Sequence, residues 1–377
     1  MKQVLFPEVV WFQEGPGVRN TQYTNSGVKL LNVANLVDGK VDLSNTDRYI
    51  SEEEAYGKYK HFLVDDGDFI IASSGIKVEY FDKKMGFISE TQLPLCMNTS
   101  TIRFKVLDKS ILDIRYFMYF LKTDRFKQQL AREITGSAQL NFGPSHLKKM
   151  HLPLIDLTAQ RHIAAVLDKV SDLMAKRRQQ LDKLDELVKS RFVEMFGDPT
   201  YNPKGYKIKK LSQLGELNRG VSKARPRNSP ELLGGPYPLV QTGEVTASEL
   251  YINTYENTYS EKGLAQSRMW PKGTLCITIA ANIAQTAILN IDACFPDSVV
   301  GFIPGKEVTQ IYMHYWFTFF QKILEEQAPQ VAQKNINLKI LNDLDVMVPE
   351  RTLQEQFEKL VNQTDKSKSF DDLEVAA

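Results

Sequence analysis

The sequence predicts an α/β protein made of two similar α+β globules, each followed by a long helix, and three observations predict it. From Leu157 to Gly197 one hydrophobic residue recurs every seven positions, at Leu167, Met174, Leu181, Val188 and Met195. A second row interleaves with it at Ile163, Val170, Arg177, Leu184 and Arg191. Such rows are the seam of a coiled coil, because a 3.5-residue repeat keeps one stripe facing a partner helix. Second, short alternating runs that read as strands occur both before and after this stretch. Third, the pattern Pro-x-x-x-Leu-x-x-Gln occurs twice, at Pro153–Gln160 and at Pro349–Gln356, each time at the start of a helical run.

Taken in order, residues 1–152 form the first globule. Val28-Lys29-Leu30-Leu31-Asn32-Val33 and Asp68-Phe69-Ile70-Ile71-Ala72 read as strands. Gly15-Pro16-Gly17, Asp38-Gly39 and Asp65-Asp66-Gly67 supply the turns. A helix from Ile111 to about Glu133 carries an aromatic face of Tyr116, Phe117, Tyr119, Phe120 and Phe126, spaced as a buried helix side. Residues 153–198 form the central helix. Thr158 can cap its start, and Gly197 with Pro199 ends it. At 1.5 Å per residue this rod is about 58 Å long. Its seam residues are Ile163, Leu167, Val170, Met174, Leu181, Leu184 and Val188, and its other faces alternate acids and bases as a solvated surface does.

Residues 199–348 repeat the first globule in outline. Leu30–Asn35 corresponds to Pro238–Gly243, Asp66–Ala72 to Lys272–Thr278, and Ile50-Ser51-Glu52 to Tyr259-Ser260-Glu261. The aromatic helix returns at Ile311–Phe317. Leu140-Asn141-Phe142 begins thirteen residues before Pro153, and Ile336-Asn337-Leu338 thirteen before Pro349. Thr352 with Glu355 offers a capping box for the last helix, 349–377. Two copies of such a unit make a pseudo-twofold molecule when their helices pair antiparallel. Only 25 residues follow Thr352 and Gln363–Lys368 is poor in seam residues, so that pairing is either short or completed by a partner.

The chain has 377 residues, enough for two or three cores, and a formal charge of +1, so any nucleic-acid-binding field must be local. Its three cysteines, Cys96, Cys276 and Cys294, have no ligand spacing and fit a reducing compartment. The N-terminus does not read as a signal peptide and no apolar run could span a bilayer, which points to the cytoplasm.

The globule–helix–globule–helix order, the doubled Pro-x-x-x-Leu-x-x-Gln and the Phe192–Pro199 helix exit together resemble the DNA-specificity subunit of type I restriction-modification systems. The resemblance covers essentially the whole chain. It implies two target recognition domains held apart by an antiparallel coiled coil, each reading half of a split, asymmetric site on double-stranded DNA. It also implies that the helices dock two methyltransferase subunits, with restriction motor subunits joining through the complex. S-adenosylmethionine, ATP and magnesium would then sit on those partners, and this chain would need no cofactor, no metal and no catalytic residue.

The residues agree with that expectation. Gly39-Lys40, Gly57-Lys58 and Gly305-Lys306 lack the rest of a phosphate loop. Asp82-Lys83-Lys84 has no partner acid for a nuclease site. Asp198-Pro199-Thr200-Tyr201 lacks the second proline of an amino-methyltransferase tetrad and reads as a turn. The five histidines, at 61, 146, 151, 162 and 314, form no ligand pattern.

Local charge is more telling. Between Thr200 and Pro230 stand Lys204, Lys207, Lys209, Lys210, Arg219, Lys223, Arg225 and Arg227 against one acid, Glu216. Arg219, Ser222, Lys223, Arg225 and Arg227 lie on a stretch that glycine and proline keep extended. Arginine and lysine there can neutralise phosphate, and an arginine fork can bond guanine O6 and N7. In the first globule Arg19, Asn20 and Gln22 hold the corresponding place, joined by Lys58 and Lys60. Further candidates for DNA contact are Gln139 (beside Ser137), Gln241, Thr242, Lys262, Gln266, Arg268, Asn282 to Gln285, and Gln333.

Two other classes stay open at this stage: a scaffold whose globules bind protein or RNA, and a self-sufficient methyltransferase or nuclease. B-DNA advances about 34 Å per turn, so the rod can set two readers about one turn apart. Replacing Arg225 and Arg227 with alanine is expected to abolish reading of one half-site only, measured by binding to duplexes altered in either half. Equal loss at both halves would contradict two separate readers.

Overall fold

The computed structural model describes residues 2–134, 140–280, 283–320, 323 and 336–375. It divides into two units, Met1–Lys176 and Arg177–Ala377. The helix Leu157–Phe196 contributes its first half to one unit and its second half to the other.

In the first unit, strand Thr101–Val106 pairs antiparallel with Val10–Glu14 on one side and Phe69–Ala72 on the other, and Met85–Phe87 adds an edge. Phe69–Ala72 is buried along its whole length, as a continuous apolar run requires. A smaller sheet orders Leu95–Met97, Val28–Leu31 and Tyr49–Ile50, its first pair parallel. The aromatic stretch is two helices rather than the single one expected, Ile114–Lys122 and Asp124–Glu133. Thr123 adopts an extended backbone between them, and its hydroxyl accepts from Phe126 N, which starts the second helix anew. The face itself is core. Phe117 and Phe126 are fully buried and pack against Phe6 with ring centroids 4.9 and 5.9 Å away.

The second unit repeats the plan. Strand Val299–Pro304 lies between Gly215–Arg219 and Leu275–Thr278, with Thr286–Leu289 and Tyr251–Ile252 beyond. A second sheet orders Asn257–Tyr259, Leu233–Leu239, Ala293–Cys294 and Met269–Trp270. Ser51 and Ser260 both cap short helices through their hydroxyls, as their matched positions require.

Each unit closes on itself through one two-stranded ribbon. Lys2–Leu5 pairs with His151–Leu154, and Lys207–Lys210 pairs with Asp345–Val348. The long helix follows directly in each case, at Leu157 and at Arg351. Neither helix starts on the expected threonine. Asp156 Oδ1 accepts from Ala159 N at the first. At the second, Thr352 already lies inside the helix and Glu355 pairs with Arg351 instead. Gly197, at φ +81°, ends the first helix as expected.

Behind each start sits a buried glutamine whose carboxamide satisfies three backbone groups. Gln160 Oε1 accepts from Asp113 N at 2.9 Å, while Nε2 donates to Ile111 O and Ile155 O at 2.9 and 2.8 Å. Gln354 Oε1 accepts from Thr309 N at 2.9 Å, while Nε2 donates to Glu307 O and Pro349 O at 2.9 and 2.8 Å. Tyr116 and Tyr312 brace the same junctions by donating to Pro153 O and Met347 O. The repeat is therefore real but shifted from the sequence match, which equated Gln160 with Gln356. Gln356 is exposed and Gln354 does the work. The strand match is also one residue out. Cys96 pairs with Leu30, and Cys294 with Leu239 rather than Pro238.

The seam rows differ in fate along their length. Ile163, Leu167, Val170 and Met174 are 38, 37, 46 and 67% exposed, Leu181 and Leu184 half-buried, and Val188 buried. The residues buried most deeply after Val188 are Phe192 and Phe196, which the seven-spaced rows omit. Both face Phe357 at 5.5 Å and pack against Tyr312, and Val188 shares a small cavity wall with Val361. Numbers fall along one helix as they rise along the other, so the last turns of Leu157–Phe196 run antiparallel to Arg351–Val375. Arg177 and Arg191 occupy the row that the sequence assigned to the seam, and the four-residue spacing of Val188, Phe192 and Phe196 replaces it.

Replacing Gln354 with alanine strands one buried N–H and two carbonyls, and is expected to cost about 2–4 kcal/mol in urea unfolding. Replacing exposed Gln356 is expected to stay within about 0.5 kcal/mol.

Candidate nucleic-acid interface

The basic stretch of the second unit separates into two groups once folded. Lys204 Nζ donates to Glu194 O and Met195 O, capping the carbonyl end of the long helix where a cation is favoured. Lys209 pairs with Glu307 and Lys210 with Asp345. These lysines serve the helix junction. The loop proper holds Arg219, Lys223, Arg225 and Arg227.

That loop leaves strand Gly215–Arg219 through Gly220, where a Cβ would meet Pro296 O at 2.3 Å and Phe295 O at 2.5 Å. Only glycine allows so close a passage. Gly220 N and Val221 N then bond Val299 O and Phe295 O. On the opposite side Gln266 Oε1 accepts from Lys223 N at 2.7 Å and Ala224 N at 2.9 Å, and Ser267 Oγ donates to Val221 O. Gln266 is thus a support of the loop rather than a contact surface. Arg225 folds back on its own chain, donating through Nη1 to Ser222 O and Ala224 O at 2.8 and 2.7 Å.

Ser222, Arg227, Asn228, Gln241, Thr242 and Asn257 line a cleft of about 290 Å³, with Tyr259, Pro296 and Ser298 among the remaining lining. Gln241 begins the short helix Thr242–Ala247, its backbone N–H capped by Glu244. Ser222 Oγ is buried in this wall without a hydrogen-bond partner. The structure therefore gathers Ser222, Arg227, Gln241 and Thr242, and adds Asn228 and Asn257, which the sequence reading passed over. Their side chains are donors and acceptors suited to base edges. Arg268 stands apart. It pairs with Glu216 at 2.7 Å, holding that carboxyl below its ordinary range, and lies 4.0 Å over the Trp270 ring. Lys262 pairs with Glu231.

In the first unit Arg19 and Asn20 are exposed at a turn of 3-10 helix, Asn20–Gln22. Gln22 is committed internally. Its Nε2 donates to Glu54 Oε1 at 2.7 Å, its Oε1 accepts from Arg19 N, and it shares a bond with the Tyr59 hydroxyl. Lys58 Nζ lies 4.8 Å over the Tyr59 ring, so Tyr59 brings Gln22 and Lys58 together, while Lys60 is exposed nearby in sequence. Arg48, 5.5 Å over the Tyr23 ring, is a further cation that the sequence reading did not single out. Ser137, Gln139, Asn282 and Gln333 lie outside the described residues.

The cysteines and one histidine, His314, belong to the core. All three cysteines are buried and free, and burial pushes the Cys96 thiol up to about 12. His314 is buried, bonded to Thr286, and held down to about 4 by burial, so its ring is neutral at pH 7. Among the described residues no three His, Cys, Asp or Glu cluster as metal ligands, and no helix is long and apolar enough to cross a membrane.

Comparison with known proteins bears on this arrangement directly. The family described as the type I restriction modification DNA specificity domain matches twice, over residues 19–183 and 203–369. A putative type I restriction enzyme MjaX specificity subunit of Methanocaldococcus jannaschii is 21% identical over 92% of this chain and 81% of its own length. The MjaVIII specificity subunit of the same organism is 23% identical over 49% of this chain, a match that spans 43% of that relative. In fold, the chain is similar to the crystal structure of the type I restriction-modification S subunit from M. genitalium, with a TM-score of 0.56 at 16% identity, covering 100% of this chain and 92% of that one. A chain from a structural study of assembly and conformational transition in a type I R-M system gives 0.54 at 16% identity, covering 100% and 94%. With both of its units matched in tandem by one specificity-domain family, this chain belongs to the DNA-specificity subunits of type I restriction-modification systems.

Proposed function

We propose that each unit reads one half of a split, asymmetric site on double-stranded DNA, and that the chain is a non-catalytic guide for subunits that carry out the reaction. One observation carries this reading: the same scaffold is built twice, down to the glutamine behind each helix start, while the loops in corresponding places differ. Arg219 to Asn228 in the second unit is basic and edged by Ser222, Gln241, Thr242 and Asn257. The first unit offers Arg19, Asn20, Lys58 and Lys60 instead. Unlike loops on like scaffolds read unlike sequences.

Arg227 is the side chain best placed to read a base. It lines the cleft and is 45% exposed, whereas Arg225 is spent on its own loop. Phosphate contacts from Lys223 and Arg19 would position the duplex, and a few edge contacts would specify it. Gln22 and Gln266 act one step back, by holding backbone in place. Gln139, Asn282 and Gln333 stay candidates on sequence grounds alone.

The exposed stripe Ile163, Leu167, Val170 and Met174 is the surface on which methyltransferase subunits dock, two per chain in this reading, with restriction motor subunits joining through them. S-adenosylmethionine, ATP and magnesium belong to those partners, and the assembly works in the cytoplasm.

The test is reconstitution with the methyltransferase encoded beside it. The complex is expected to bind one duplex sequence over scrambled DNA and to lose affinity linearly in log–log plots against salt. Sequencing methylated bases in cells carrying the pair is expected to give a bipartite, non-palindromic site. Methyl transfer by this chain alone, or binding indifferent to sequence in the complex, would overturn the reading.

A further inference from the structure

The sequence shows a run of uncompensated cations at Arg219–Arg227, but the fold brings one acid to it from about seventy residues away. Asp297 lies between Pro296 and Ser298, two residues that line the cleft. Its carboxylate makes two ion pairs, Oδ1 with Arg227 Nη2 at 2.5 Å and Oδ2 with Arg225 Nη2 at 3.6 Å, although Oδ1 is buried and no aligned hydrogen bond reaches it, so charge rather than hydrogen-bond geometry holds the arginines there. Its backbone oxygen accepts from Arg219 Nε. Three arginines of one loop therefore converge on one residue. The Asp297 side chain is 29% exposed, against 57% for Arg225 and 45% for Arg227, so the acid is the more buried member of both pairs.

We propose that Asp297 is a specificity-determining positioning residue, which holds the Arg227 guanidinium beside the cleft by its charge and lowers the attraction of the loop for bare phosphate. This rests on the second unit being a DNA reader. An arginine already held in place gives up less freedom when it meets a base edge, so the matching sequence gains most. A guanidinium already facing a carboxylate gains less from a phosphate, which every sequence supplies equally, so non-matching DNA is disfavoured. Both effects widen the gap between right and wrong sequence.

The experiment uses the complex with its methyltransferase. Its probes are a duplex bearing the site found by methylated-base sequencing, the same duplex with each base pair altered in turn, and a scrambled duplex of equal length. For Asp297→Asn, affinity for scrambled duplex is expected to rise and the ratio of matched to scrambled affinity to fall about tenfold, within the range one bidentate base contact supplies. The loss should be confined to base pairs of one half-site. The slope of log affinity against log salt should steepen by about one for the released cation. Asp297→Glu, which keeps the charge, should restore the slope. In a cycle with Arg227→Gln, the two substitutions should be non-additive, because each removes the same ion pair. A ratio within twofold of the unaltered complex, or additive effects in the cycle, overturns the role of Asp297 while leaving the second unit a reader. An unaltered complex that does not tell matched from scrambled duplex overturns both.

Discussion

The carboxamide of one buried glutamine in each unit joins the start of a long helix, and the segment just before it, to a stretch more than forty residues earlier in the chain. Gln160 ties the first turn of the long helix to the cap of the aromatic helix at Asp113 and to the segment leaving the closing strand at Ile155. Gln354 repeats this against Thr309 and Pro349. A buried backbone N–H or carbonyl left unpaired costs more than a made bond returns, so these junctions have one low-energy arrangement. The direction in which each helix leaves its globule follows from that arrangement. In the second unit a further constraint acts at the other side. Phe192 and Phe196 wedge between Tyr312 and Phe357, so that globule grips two helices at once.

Under the proposed function, fixing the helix to the globule matters because a loop that reads DNA is useful only at a defined place. The second unit shows how place is enforced locally. Gly220 lets the loop pass against Phe295 and Pro296, Gln266 holds two of its amides, and Arg225 is used as a brace. The stretch from Gly220 to Ala224 is thereby bonded on both sides. The first unit achieves the same end by different means, with Gln22 anchored to Glu54 and Tyr59 beneath an exposed Arg19 and Asn20.

Much of this was legible in the sequence because it is written in local pattern. Continuous apolar runs marked the central strands, the Ile50-Ser51-Glu52 and Tyr259-Ser260-Glu261 match marked equivalent positions in the two units, and an unbroken heptad marked the long helix. What the sequence concealed is long-range. The motif at Leu353 and Gln356 imitates Leu157 and Gln160 so closely that the match slips by two residues, since pattern cannot show that Gln354 is the residue facing Thr309. The charge count over Thr200–Pro230 was correct as arithmetic, yet Glu307, Asp345 and Asp297 reach those cations from far along the chain. Thr123 breaks a helix that periodicity alone continues, because its hydroxyl competes for the backbone. The heptad rows also missed Phe192 and Phe196, since the helix packs there at four-residue spacing against an aromatic cluster.

The clamp explains how one scaffold can carry unlike readers. Every bond that Gln160 and Gln354 make is to backbone, so the side chains at the contacted positions are free to differ, and they do: Ile111 against Glu307, Asp113 against Thr309, Ile155 against Pro349. The bond lengths nonetheless agree within 0.1 Å between the two units. A junction specified by main-chain atoms tolerates substitution around it, whereas a junction specified by side-chain packing would resist it. Sequence change is thus channelled into the loops, where Arg219–Asn228 and Arg19–Gln22 already share almost nothing. A protein whose targets must diversify needs this separation between the part that holds and the part that reads.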